Sequence, residues 1–68
     1  MTEFHLTEEY ITLQNLLKAE SLVGSGGEAK FAILDGLVKV NGETEERRGK
    51  KLKIGDIVEF NGEKIRIS

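Results

Sequence analysis

From the amino terminus, apolar residues first recur without a fixed period. Phe4, Leu6, Tyr10 and Ile11 stand among polar neighbours over residues 3–12, a loose alternation that predicts a short strand or an ordered arm. Leu13, Leu16 and Leu17 then fall at i, i+3 and i+4, with Gln14, Asn15, Lys18 and Glu20 pointing elsewhere, which predicts a short helix over residues 12–20. After Gly24, the run Ser25-Gly26-Gly27-Glu28 has the form of a capping box, in which the serine hydroxyl and the glutamate carboxylate each satisfy a backbone N–H at a helix start. A second helix is expected over residues 26–35, with Ala29, Ala32 and Ile33 facing inward and Gly36 ending it in a left-handed turn. Phe31 is assigned to partly buried core in preference to a stacking surface.

Beyond Gly36 the period changes to two. Val38 and Val40 share one face and Lys39 takes the other, and Asn41-Gly42 closes this strand with a turn. A charged loop follows, then residues 56–60, a second Asn-Gly pair at Asn61-Gly62, and residues 64–67, which together predict a closing hairpin. The elements define an α+β fold, with two packed helices against a small, mostly antiparallel sheet.

Size narrows the function classes. Sixty-eight residues suit one domain spanning 1–68, and a chain of this length buries only about 60% of its extended surface, which leaves little interior for a deep catalytic cleft. Cysteine is absent, which removes disulfides, thiolate zinc sites and thiol redox chemistry. No apolar run approaches the roughly 20 residues needed to span a bilayer, and Met1-Thr2-Glu3-Phe4-His5 lacks the basic start of a secretory leader, so a cytoplasmic protein is expected; it is taken separately to be a monomer.

Charge then changes the picture from a generic domain to a binding module. Arg47, Arg48, Lys50, Lys51 and Lys53 place five of the ten basic residues within seven positions, although the net charge is −2. That segment alone carries +5, and the remaining five basic against twelve acidic residues balance at −7. A basic segment on an otherwise acidic chain fits a polyanion partner, with the acidic remainder limiting indiscriminate binding.

Other motifs carry less. The run Gly24 to Lys30 fails as a P-loop because Ala29 and Phe31 flank the lysine where Gly and Ser or Thr are needed. It fails as a dinucleotide fingerprint because a helix, not a strand, precedes it. Its Gly24–Gly27 spacing matches a KH-type GxxG loop, but without a basic residue in the middle pair. What remains is a helix start in which Ser25, Gly26 and Gly27 are candidates to hold one phosphate beside Lys30. His5 has no Ser, Cys or second His arranged with it, and the adjacent pairs Glu8-Glu9 and Glu45-Glu46 are assigned to solvated surface. No catalytic group, metal site or cofactor is expected.

The order of helix, Ser-capped helix, Val-Asn-Gly strand, basic loop and Gly-Asp-x-Val strand resembles the RNA-binding domain typified by ribosomal protein S4, also called the alpha-L motif. The resemblance covers about residues 11–60 through Leu13, Leu16-Leu17, Ser25, Ala29-Lys30, Ile33, Gly36, Val38, Val40-Asn41-Gly42 and Gly55-Asp56. Ser25-Gly26-Gly27-x-Ala29-Lys30 and Arg47-Arg48-Gly49-x-Lys51-Leu52-x-x-Gly55-Asp56 are similar to the small stand-alone bacterial YaaA-like and YbcJ-like members. Larger members carry Arg-Leu-Asp and Ser-Arg where this chain has Thr12-Leu13-Gln14 and Ser25-Gly26, so two commonly basic positions are neutral here. The resemblance implies a non-catalytic protein that takes structured RNA, ribosomal RNA or tRNA, in ribosome assembly or translation. It implies RNA contact at Lys30 and, by sequence type, at Arg47, Arg48, Lys50, Lys51 and Lys53.

Two other classes compete. A β-grasp-like protein–protein adaptor shares the Val-Asn-Gly and Gly-Asp-x-Val strands, but the ending Ile65-Arg66-Ile67-Ser68 lacks the Gly-Gly needed for carrier chemistry. DNA reading by the second helix is poorly served, because its outer side offers mainly Glu28, Lys30 and Asp35.

Overall fold

The computed structural model describes residues 1–68. In chain order it contains β1 (Thr2–Phe4), β2 (Ile11–Thr12), α1 (Leu13–Ala19), α2 (Gly26–Leu34), β3 (Val38–Val40), β4 (Glu43–Thr44), β5 (Lys51–Leu52), β6 (Ile57–Phe60) and β7 (Glu63–Ile67). Five strands form one sheet in the order β1-β7-β6-β3-β4, and β2 and β5 form a second, two-stranded pairing. Only the β1–β7 contact is parallel, so the expected α+β architecture with a mostly antiparallel sheet holds.

Both helices are defined by local chemistry. Thr12 caps α1, its hydroxyl accepting from the Asn15 N–H at 3.3 Å. Ser25 caps α2 by accepting from the Glu28 N–H at 3.2 Å, and the Glu28 carboxylate reaches back to the Gly24 N–H at 3.1 Å. The capping box is therefore present, with its return bond displaced one residue upstream of the cap. Both helices end in Schellman turns. Leu22 N–H donates to the Leu17 carbonyl and Ser21 N–H to that of Lys18; Leu37 and Gly36 do the same toward Ala32 and Ile33. The left-handed position of α2 is the expected Gly36 (φ 76°), but in α1 it is Ser21 (φ 56°), which carries a side chain where glycine is the unstrained residue.

The core lies between the helix pair and one face of the sheet. Leu13, Leu16 and Leu17 from α1 and Ala29, Ala32 and Ile33 from α2 meet Val38, Val40, Val58, Ile65 and Ile67 from the strands, and Leu52 joins them from β5. No polar side chain is buried with them, so the interior is held by apolar burial, about 1.5–3 kcal/mol for each large aliphatic side chain. The small Ala29 and Ala32 let α2 approach α1 closely.

Two sequence expectations are corrected. Phe31 is 67% exposed: it lies on the side of α2 opposite the Ala29, Ala32 and Ile33 stripe, so helical phase outweighs its hydrophobicity. The basic segment is not wholly loop, because Lys51 and Leu52 pair with Thr12 and Ile11. The short strand expected near the amino terminus is present, and its partner is the carboxyl-terminal strand, with Phe4 beside Ile67 and an exposed Arg66–Glu3 ion pair at 2.7 Å across the pairing.

Candidate nucleic-acid interface

The basic segment is pinned to the start of α1. Leu52 is fully buried and anchors β5, while the first N–H groups of α1, those of Leu13 and Gln14, donate to the carbonyls of Lys50 (2.8 Å) and Arg48 (3.0 Å). These N–H groups have no acceptor within their own helix, so the segment completes α1 and α1 in turn holds the segment's shape. The cations are thus carried on ordered backbone.

The far end of the segment is held by a second clamp. The Asp56 carboxylate accepts from the Lys53 N–H at 2.9 Å and from Asn41 Nδ2 at 3.0 Å, and Asn41 Oδ1 accepts from the Ile57 N–H at 2.9 Å. Asn41 (φ 54°) and Gly42 (φ 85°) form the left-handed pair of a type I′ turn between β3 and β4. Asn41 and Asp56 therefore stitch the Asn-Gly turn to the Gly-Asp turn and fix where Lys53 emerges.

Between the clamps the cations converge. A shallow cleft of about 530 Å³ is lined by Arg47, Gly49, Lys50, Lys51 and Lys53, with no apolar side chain in its walls. Arg48 is exposed beside it, its backbone on Gln14. The charges are not equivalent. Arg47 Nε lies 2.9 Å from Glu45 Oε2 and its Nη2 lies 3.0 Å from Oε1, a two-pronged contact that the Arg47 N–H extends at 3.1 Å. The hydrogen bonds from the Arg47 side chain outweigh the cost of partial burial and, with the nearby Arg47 and Lys50 charges, hold the Glu45 carboxyl down to about 2. The same contact raises the Arg47 pKa. Glu45, expected to be plain solvated surface, is thus a fixed counter-ion whose side chain is only 13% exposed. An arginine and a glutamate two positions apart was the available signal, but their meeting depends on the turn between them.

The start of α2 adjoins this region through Gln14. A Cβ added at Gly26 would lie 3.1 Å from Gln14 Nε2, so the glutamine side chain passes close over Gly26 while its backbone holds Arg48. Lys30 is exposed one turn along α2 from Gly26. Of the three residues considered for phosphate contact, Ser25 has its hydroxyl engaged as the cap, and Gly26 and Gly27 present first-turn N–H groups. No cluster of three or more His, Cys, Asp or Glu side chains is placed to hold a metal ion, and no helix is long and apolar enough to cross a membrane.

Comparison with known proteins gives a consistent likeness. The family model described as S4 domain matches residues 4–68. A Bacillus subtilis protein named "Probable ribosome maturation protein RlbA" is 46% identical over 54 residues, covering 79% of this chain and 76% of its own. YbcJ of Escherichia coli is 40% identical over 58 residues, covering 85% and 83%. The solution structure of YbcJ, described as revealing an alpha-L motif involved in RNA-binding, superposes with a TM-score of 0.72 at 38% identity over 98% of this chain and 86% of that one. The 30S ribosomal protein S4e of Thermoplasma acidophilum superposes with a TM-score of 0.65 at 28% identity, covering 88% of this chain and 32% of that protein.

Proposed function

The chain belongs to the S4 domain family, and on that premise we propose that residues 1–68 act as a single non-catalytic RNA-binding domain for structured RNA, ribosomal RNA or tRNA, in ribosome assembly or translation. The observation that carries this reading is the cleft whose walls are all cation and glycine, built on a segment that hydrogen-bonds to α1. Names among the relatives point the same way, toward ribosome maturation for one and RNA-binding for another.

In this reading phosphates supply most of the affinity. Lys50, Lys51 and Lys53 act as mobile point charges, and Arg48 offers a free planar fork that matches a phosphate through two hydrogen bonds. Lys30 on α2 extends this contact, and the first-turn N–H groups of Gly26 and Gly27, with Ser25 as the cap, take one further phosphate in this reading. Arg47 contacts RNA only in competition with Glu45. Because the major groove of A-form RNA is deep and narrow, selection rests on the spacing of backbone phosphates more than on base sequence. Binding assays with a structured RNA hairpin, a matched DNA duplex and the single strands test this reading. Preference for the hairpin at moderate salt is expected; equal affinity for the DNA duplex, or no binding, would refute it.

A further inference from the structure

Lys51 stands between two depressions. On one side is the cation-lined cleft; on the other is a groove of about 520 Å³ whose walls include Phe4, Leu6, Glu8, Glu9 and Tyr10. The Lys51 ammonium lies 4.9 Å from the centroid of the Tyr10 ring, and the β2–β5 pairing that sets Thr12 opposite Lys51 fixes that spacing. Tyr10 is 40% exposed, between the exposed Glu9 and the half-buried Ile11.

The groove is divided by chemistry. Phe4, Leu6 and the Tyr10 ring present apolar and aromatic surface, whereas Glu8 and Glu9 take part in neither of the chain's ion pairs and, when ionised, only accept hydrogen bonds. Two free carboxylates repel a phosphate. They suit a flat heterocycle that stacks on an aromatic ring and turns N–H groups toward them. A base within an A-form duplex is stacked and paired and does not reach such a groove; an unpaired one does.

We propose that this groove receives one unpaired nucleobase, stacked on Tyr10 with its donor edge toward Glu8 or Glu9, from the RNA whose phosphates the basic cleft holds. The proposal rests on the RNA-binding reading above. Lys51 serves both sides of the ridge: its ammonium covers one face of the Tyr10 ring and holds a phosphate of the extruded nucleotide, while the base takes the face that the ammonium leaves open.

Tyr10 is the only tyrosine and the chain has no tryptophan, so tyrosine emission reports on this groove alone. Two hairpins of equal phosphate count are compared, one with a bulged guanosine and one with an abasic residue in the same place. The guanosine hairpin is expected to bind roughly 5- to 150-fold more tightly and to quench the emission, since one base–aromatic stack is worth that much. The gain should vanish in Tyr10→Ala and persist in Tyr10→Phe. Equal affinities with unchanged emission, while both hairpins bind, overturn the groove assignment and leave the RNA-binding function standing. If neither hairpin binds at moderate salt, both readings fall. A labelled amphipathic peptide that quenches Tyr10, with the two hairpins indistinguishable, would give the groove to a protein partner instead.

Discussion

Glu45 holds the guanidinium of Arg47 in a two-pronged contact at 2.9 and 3.0 Å, at the edge of a cleft otherwise lined by unpaired cations and glycine. Of the two arginines in the segment, Arg47 is thereby already neutralised, while Arg48 has no ion-pair partner. Replacing Glu45 with Gln removes the counter-charge and leaves Arg47 free. The salt dependence of RNA binding should then steepen by about 0.7–0.9 in log–log slope, the value of one added phosphate contact, with tighter binding at low salt. An unchanged slope in Glu45→Gln would mean that Arg47 never meets the RNA backbone.

The same contact sets a pH dependence. With the Glu45 carboxyl lowered from 4.5 to about 2 in the folded chain, its contribution to stability is complete above the ordinary value and is lost as pH falls toward the lowered one. Because Arg47 is 72% exposed, solvent screens the pair and the contribution is small. A carboxyl-resolved NMR titration should place the Glu45 midpoint near 2, and denaturant melts of Glu45→Gln should lose less stability on acidification than those of the parent. A midpoint at the ordinary value would show that the pair does not persist in solution.

Ser21 occupies a left-handed position (φ 56°) in the Schellman turn that ends α1, where glycine is the unstrained residue. Ser21→Gly should therefore stabilise the fold by about 0.5–1 kcal/mol, relief of side-chain crowding exceeding the added freedom of the unfolded chain. Urea unfolding reads this directly, and a destabilised variant would place the strain elsewhere.

Two hydrophobic residues should respond oppositely to truncation. Leu16 is fully buried, so Leu16→Ala should cost about 2–5 kcal/mol. Phe31, 67% exposed, should tolerate Ala within about 0.5 kcal/mol. A large loss at Phe31 in urea melts would return it to the core.

Much of the fold was legible because it is local. Ser25 and Glu28 announce the start of α2, Gly36 its end, and the Asn-Gly pairs at 41–42 and 61–62 appear as two-residue turns between paired strands. What the sequence hid is set by contacts between distant segments or by helical phase. The parallel pairing of Thr2–Phe4 with Ile65–Ile67 joins the two chain ends, and no local pattern specifies it. Phe31 follows Lys30 and precedes two inward residues, so a hydrophobic tally favours the core while the turn of the helix sends it outward. The cluster of cations was legible as composition. Its division into a paired Arg47 and free neighbours was not, because the pairing depends on the path of the backbone between Glu45 and Arg47.

The most direct test of RNA binding through the basic cleft is a salt titration with a structured RNA hairpin. It compares the parent with a variant in which Arg48, Lys50, Lys51 and Lys53 are all replaced by Gln. Their side chains form no ion pair in the fold and Leu52 still anchors the segment, so melting should be little changed. The account predicts weaker binding and a log–log slope shallower by about two to four, roughly 0.7–0.9 for each lost phosphate contact. A folded variant that binds the hairpin with the parent's affinity and slope would contradict it and move the RNA surface away from this cleft.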